Sequence, residues 1–352
     1  MPYYMYVALQ DDDKISVFTM DGETGQLTPK AEASVPGGPS LLAINPDRTV
    51  LYIGHRTVPE ISSYRIDPST GGITKNGTVT PDGAPAFLAT DRTGRYMLSS
   101  HYQSGHAAVH PIGDGGAVGG PPIEWLATDV GAHAMQTDRS NRFAFVPHIA
   151  RLSDNVLEPV KDAPGPNVIY QFRFDENTGR LTPNSTPQVE QGDNIGPRHY
   201  CFHPTLDIVY FSNEQGGSVS AYQLDPSAGT LSALQTITTL PDGYTGRNTC
   251  SQIQISPSGR FLYVPNRGHN SIAGFSVDQS TGRLTAIGQV STEAVPSAFS
   301  LDPQGKFVFA AGSASGNLAS YRIDGDTGGL TPLRTYPVGA RPMWVLVTNL
   351  GD

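Results

Sequence analysis

Seven short apolar runs of similar shape end in VALQ, YIGHR, LSSHY, FVPHI, FSNEQ, VPNRG and AAGSA. Aligned on those ends, one column reads Leu9, His55, His101, His148, Asn213, Asn266, Gly312. The next reads Gln10, Arg56, Tyr102, Ile149, Glu214, Arg267, Ser313. A second family of runs opens GPSLLAI, GAPAFLA, GAHAMQT, GPRHYCF, TCSQIQI and VPSAFSL, and its polar exceptions are His133, Arg198, His199 and Gln252. A guanidinium grips carboxylate or phosphate and stabilises a developing oxyanion. Histidine and glutamate move protons near neutral pH. His133, His148, Arg198, His199, Glu214 and Arg267 fall in three successive units, whereas the other units place mostly small or apolar residues there. A structural role tends to repeat in every unit, and a binding site need not. The asymmetry therefore marks a candidate site.

Each candidate also has a plainer role. The His and Asn column suits strand-end capping, in which the side chains bond nearby backbone groups. Glu214 paired with Arg198 or Arg267 would be an ordinary rim salt bridge, contributing roughly 0–1 kcal/mol. Cys201 and Cys250 lack an activating motif and read as small packed residues. His55, His101 and His148 come one per unit, so metal binding would require them to converge in space. No metal and no cofactor is expected.

The elements that position these residues follow from a second repeat. DGETGQLTP at Asp21 recurs as DPSTGGIT at Asp67, DENTGRLTP at Asp175, DPSAGTLS at Asp225, DQSTGRLT at Asp278 and DGDTGGLTP at Asp324, with a degenerate GDGGAVG at Gly113. The starts are mostly 46 to 53 residues apart, a period typical of solenoids and propellers. Each unit holds four short runs rich in β-branched and aromatic residues, split by turn chemistry, and no long run has helical periodicity. Asp-x-x-x-Gly supplies an Asx-type turn with a glycine for positive φ. The reading is all-β: a seven-bladed propeller with four-stranded blades. YYMYVAL at the start matches a second strand and RPMWVLVT near the end matches a first strand. The last strand should thus join the first blade and close the ring, removing exposed sheet edges. Residues 1–352 are expected to form a single domain, with a polar, Pro-rich loop insertion at 151–167 in the fourth blade. In a propeller, the turns after second strands and those leading into first strands surround the central channel on one face, which is where both aligned columns fall.

Composition narrows the function. The chain has 352 residues, a formal charge of −9 and two cysteines. The charge and the absence of a Lys/Arg block argue against nucleic acid. No apolar run reaches membrane-spanning length, and the Met-Pro-Tyr-Tyr start lacks the basic region of a signal peptide, so a soluble, cytoplasmic protein is expected. A closed ring leaves no long edge that demands a partner, and a monomer is the default.

GPRHYCFHP followed by FSNEQGGSVSAY, SPSGRFLYVPNRGHNSIAGFSV and VGARPMWV resembles the seven-bladed β-propeller lactonase family, of the 6-phosphogluconolactonase and 3-carboxy-cis,cis-muconate lactonizing enzyme type. The resemblance covers nearly the whole chain. It implies catalytic roles for Arg198, Glu214 and Arg267, matches His148 to a proposed catalytic histidine, and matches His133, expected to bind substrate, to the histidine entering the fourth blade. His199, His101 and Gln252 complete the expected substrate-binding set. The implied activity is metal-free hydrolysis of a sugar-derived or carboxylated lactone, with a small-molecule lactone or carboxylate as partner. Two positive charges beside the carboxylate favour His148 as base and Glu214 as the orienting group, though the two roles can be exchanged. A muconate-type cyclisation would use the same residues. A non-enzymatic binding propeller is the alternative of another class; it would present apolar or aromatic anchors on one face.

Overall fold

The computed structural model describes residues 3–350 except 153–155, 157, 158 and 160–162. The described residues form seven four-stranded antiparallel sheets and no helix. The sheets are the blades of a propeller. The second blade is built from Pro39–Ile44, Val50–His55, Ile61–Ile66 and Ile73–Val79 in that order. The first blade combines Tyr3–Leu9, Lys14–Met20 and Leu27–Ser34 with Pro342–Asn349, which pairs antiparallel to Tyr3–Leu9 and closes the ring. No described helix is long and apolar enough to cross a membrane.

Burial explains the runs. Second strands such as Val50–His55, Ile208–Asn213 and Phe261–Asn266 are buried along their whole length. They lie between neighbouring blades and are covered on both faces, so they read as continuous apolar segments and not as alternating ones. Fourth strands such as Leu27–Ser34 are largely exposed and carry the polar residues. An apolar cluster fills each junction between adjacent blades, as where Phe307 and Phe309 of the seventh blade pack on Met5 and Val7 of the first. Fully burying one such side chain contributes about 1.5–3 kcal/mol.

The Asp-x-x-x-Gly repeat joins the blades. Asp21 Oδ1 accepts from the Thr24 amide at 2.7 Å, and Asp225 Oδ1 from the Ser227 amide at 2.8 Å, fixing the turn. The turn glycine then sits on an aromatic or aliphatic side chain of the preceding blade. Gly71 meets Tyr4, Gly229 meets Phe143 and Gly328 meets Phe261, with Gly25 on Phe307 completing the circle. Tyrosines reach the same turns with their hydroxyls: Tyr6 donates to the Gly71 carbonyl, Tyr210 to Gly282 and Tyr263 to Gly328.

The expected insertion falls in the connection between Phe143–His148 and Val168–Asp175. Part of it lies outside the described residues. Of the rest, Arg151 bridges to Pro164.

Candidate active site

A cleft of about 1150 Å³ opens at one end of the channel, lined by the turns that leave second strands and those that lead into first strands. The register of the blades decides which residues face it. In the fifth blade Pro197 pairs with Asn213 and His199 with Ser212, which leaves Arg198 as the extra residue of a bulge. Ser40 and Ser297 occupy the same bulge in the second and seventh blades. A bulge re-aims one side chain, and Arg198, Ser40 and Ser297 all line the cleft.

At its centre, Glu214 lies between two arginines. Its Oε2 is 2.9 Å from Arg198 Nε, and Arg267 Nη2 donates to its Oε1 at 2.6 Å. Arg267 Nη2 also donates to the Cys250 carbonyl at 3.1 Å. All three side chains are 5–14% exposed. The Arg198–Glu214 contact is a close ion pair without hydrogen-bond alignment, and Arg198 Nε, Glu214 Oε2, Arg198 Nη1 and Arg267 Nε have no hydrogen-bond partner among the described residues. Buried polar groups left open in this way mark a place for water or ligand. Burial, and next the Arg267 charge, push the Arg198 guanidinium down to about 10, still protonated at neutral pH.

His133 Nε2 is 4.0 Å from Glu214 Oε2, beyond hydrogen-bond range but a fitting gap for a bridging water. Burial, then the charge of Arg198, hold His133 well below the usual histidine value, so it is neutral. His199 stands edge-on to it at 5.2 Å and packs against Phe87 and Trp344. Burial, with Arg198 and Arg267, also keeps His199 neutral. Gln252 lines the cleft while its Oε1 accepts from the Phe299 amide. His199, Gln252 and Trp344 also line a second space of about 490 Å³, so they form a floor across the channel.

Six of the eight expected site residues thus meet in one cleft: Arg198, Glu214, Arg267, His133, His199 and Gln252. The structure places His148 and His101 elsewhere. His148 is fully buried; its Nδ1 donates to the Val146 carbonyl at 3.0 Å and its Nε2 accepts from Thr128 Oγ1 at 3.0 Å. His101 is likewise buried, donating to the Gly83 carbonyl and accepting from Ser99 Oγ. With both ring nitrogens satisfied and no surface on the cleft, neither meets a ligand there. Their column is the capping column: Asn213 bonds Ser218 and Ser220, and Asn266 bonds Ser271. The adjacent column faces the cleft, and it brings in Arg56 and Tyr102, which the sequence reading left aside. Arg341 joins them from the turn leading into Pro342–Asn349. The thiols take no part; burial raises Cys201 strongly and pushes Cys250 up to about 11.

Residues 4–347 match the Lactonase family, described as a 7-bladed beta-propeller. The chain belongs to the seven-bladed β-propeller lactonase family. It is a lactone hydrolase. A 6-phosphogluconolactonase of Pectobacterium carotovorum is 34% identical over 351 residues, covering 99% of this chain and all of that one. One from Yersinia pestis is 33% identical over 352 residues, covering 99% and 98%. The periplasmic gluconolactonase of Pseudomonas aeruginosa superposes with a TM-score of 0.87 over the full length of both chains; at 24% identity it shows the shared fold alone. Within this lactonase, the polar cluster of the fifth and sixth blades lines the cleft.

Proposed function

We propose that this lactonase hydrolyses 6-phosphogluconolactone, and that Glu214, Arg198, Arg267 and His133 carry the reaction. One observation supports the reading above the rest. Glu214 is held between two arginines with one carboxylate oxygen open toward His133, inside the channel of a chain one-third identical to 6-phosphogluconolactonases.

A water between Glu214 Oε2 and His133 Nε2 is placed for attack. With His148 held off the cleft, the roles exchange: Glu214 takes the water's proton, and the new C–O bond forms at the lactone carbonyl carbon. The carbonyl oxygen becomes an oxyanion, stabilised by the positive charges of Arg198 and Arg267. Collapse breaks the bond to the ring oxygen, which takes the proton back from Glu214, and the carboxylic acid product ionises. His133 stays neutral and orients the water. His199 and Gln252 form the floor under the ring. The chain acts as a cytoplasmic monomer in this reading.

A binding propeller would need apolar anchors on one face. The exposed large apolar side chains among the described residues are the aliphatics Val58, Val130, Ile287 and Leu333, each 37–38% exposed. The cleft, in contrast, concentrates charge.

The test is a pH-indicator hydrolysis assay on EDTA-treated protein. Substrates are 6-phosphogluconolactone, glucono-δ-lactone and aliphatic lactones, with 3-carboxymuconate followed by ultraviolet absorbance. Rapid turnover of 6-phosphogluconolactone that survives EDTA and collapses in Glu214→Gln is the expected result. Preference for 3-carboxymuconate, or turnover that persists in Glu214→Gln, would overturn the proposal.

A further inference from the structure

The charge of the cleft exceeds what the reaction centre uses. Four arginines line it, Arg56, Arg198, Arg267 and Arg341, against two described acids, Glu214 and Asp11. With the histidines neutral, the cleft carries an excess of about two positive charges in a chain of formal charge −9. Arg198 and Arg267 share Glu214. Arg341 Nη1 approaches Asp11 no closer than 3.9 Å. The Arg56 guanidinium has no hydrogen bond or ion pair with a described residue and is open to the cleft.

The two pairs enter the cleft from different blades. Arg56 follows Val50–His55 of the second blade, and Arg341 precedes Pro342–Asn349 of the first. In a ring of seven, the junction of blades one and two lies opposite blade five, which holds Arg198 and Glu214. Both guanidiniums line the same cleft, and the Arg341 charge, after burial, lowers Arg56, which also feels Glu214 and Arg267.

The backbone at Arg341 adds an independent observation. The residue just before a first strand, or in the fourth blade before the Ala132–His148 bridge, is left-handed in five blades. Gly38, Gly131 and Gly196 take φ of 68°, 88° and 68°, Val295 takes 57° and Arg341 takes 51°. Glycine fits this conformation without steric cost, whereas a side chain is strained there. Arg341 alone of the five brings a charge to that position. Strain retained at a cleft residue is a pointer to function.

We propose that Arg56 and Arg341 form an anion subsite that holds a phosphomonoester at the end of the substrate remote from the lactone carbonyl. A phosphomonoester carries about −1.5 to −2 at neutral pH, which matches the excess charge, and paired guanidiniums bind its oxygens in a fork. The assignment rests on the hydrolytic reading above for the substrate's other end, while the subsite itself can be read with phosphate alone.

The experiment compares wild type with Arg56→Gln and Arg341→Gly. The first readout is the ratio of kcat/KM for 6-phosphogluconolactone over glucono-δ-lactone. It should fall by about tenfold or more in each variant, mainly through KM. The second is inorganic phosphate against malonate, each measured by the rise in Tm it causes. Wild type should respond more to phosphate, and both variants should lose that response. Arg341→Gly relieves the left-handed strain and should melt no lower than wild type, so its losses are not unfolding. An unchanged ratio with an intact phosphate response would overturn the subsite, and so would a stronger response to malonate. If wild type turns over neither lactone, the hydrolytic reading fails by itself, and the phosphate response still decides the subsite.

Discussion

Glu214 and Arg267 occupy the same position in adjacent repeats, the residue after the second strand, and their side chains meet at 2.6 Å across the junction of blades five and six. All seven blades share one four-stranded topology, and the site arises where side chains at equivalent positions differ. Arg198 supplies the third member from the bulge of the fifth blade. Three groups from two blades thus build one charge cluster, and none of them needs an irregular loop to reach it.

Glu214→Gln keeps the shape and removes the charge. If Glu214 is the base, kcat falls by about 10²–10⁴-fold. The two buried arginines also lose their common counter-charge. Breaking a buried ion pair from one side typically costs about 3–5 kcal/mol, so the urea midpoint falls as well. A variant that loses stability but keeps kcat would leave Glu214 a purely structural ion pair.

His133 and His148 make a contrasting pair. His133→Ala should reduce kcat by about tenfold or more while lowering stability less than His148→Ala, because its Nδ1 has no described hydrogen-bond partner to lose. His148→Ala removes two hydrogen bonds and the ring packed 4.8 Å from Tyr170. It should lower stability by about 2–4 kcal/mol and change kcat far less than His133→Ala does. Steady-state kinetics beside urea melts on both variants checks the crossover; the reverse pattern would return the catalytic role to His148.

The difference between those two histidines also shows how far the sequence carries. The blades are legible because every unit meets the same mechanical demand: an Asp-fixed turn whose glycine lies on the neighbouring blade. The site columns are legible to within one residue. Successive side chains on a strand point to opposite sides, so His101 turns back into its blade while Tyr102 faces the cleft. Nothing in the pattern separates them, because the second strands are buried on both faces and carry no polar alternation to set the phase. Arg56 stands in the correct column, but its unit lies outside the three that concentrate the titratable residues. Arg341 was hidden because its blade is assembled from the two ends of the chain. Arg198, His133, His199 and Gln252 were found because each replaces a small or apolar residue in an otherwise uniform turn.

Acid should destabilise the fold through buried histidines. Burial pushes His101, His110 and His148 down to about 4. In the unfolded chain a histidine takes up its proton near pH 6.5. Protons therefore bind the unfolded state preferentially below that value, and the contribution to stability is complete above pH 6.5 and lost as the pH falls through about 4. Each fully buried histidine accounts for up to about 3 kcal/mol over that window. His110 is the sharpest case, since neither ring nitrogen has a described hydrogen-bond partner. His110→Phe should flatten the slope of stability against pH by one proton's worth and raise stability at pH 5. Urea melts at pH 7, 6 and 5 measure it; an unchanged slope would mean that His110 carries no part of the acid lability.

The turn glycines give a test of what the Asp-x-x-x-Gly repeat is for. Gly229 and Gly243 have nearly the same left-handed backbone, φ of 72° and 76°. A Cβ on Gly229 would collide with the Phe143 ring of the preceding blade, while one on Gly243 would meet nothing within 4 Å. Gly243→Ala therefore carries only the conformational cost, about 1–2 kcal/mol. Gly229→Ala adds overpacking at a blade junction, a further 1–3 kcal/mol or so. The difference between the two urea midpoints isolates the contact between blades from backbone strain. Equal losses would make the repeat a local turn device, and the inter-blade clasp would then have to rest on the tyrosine hydroxyls and the apolar clusters alone.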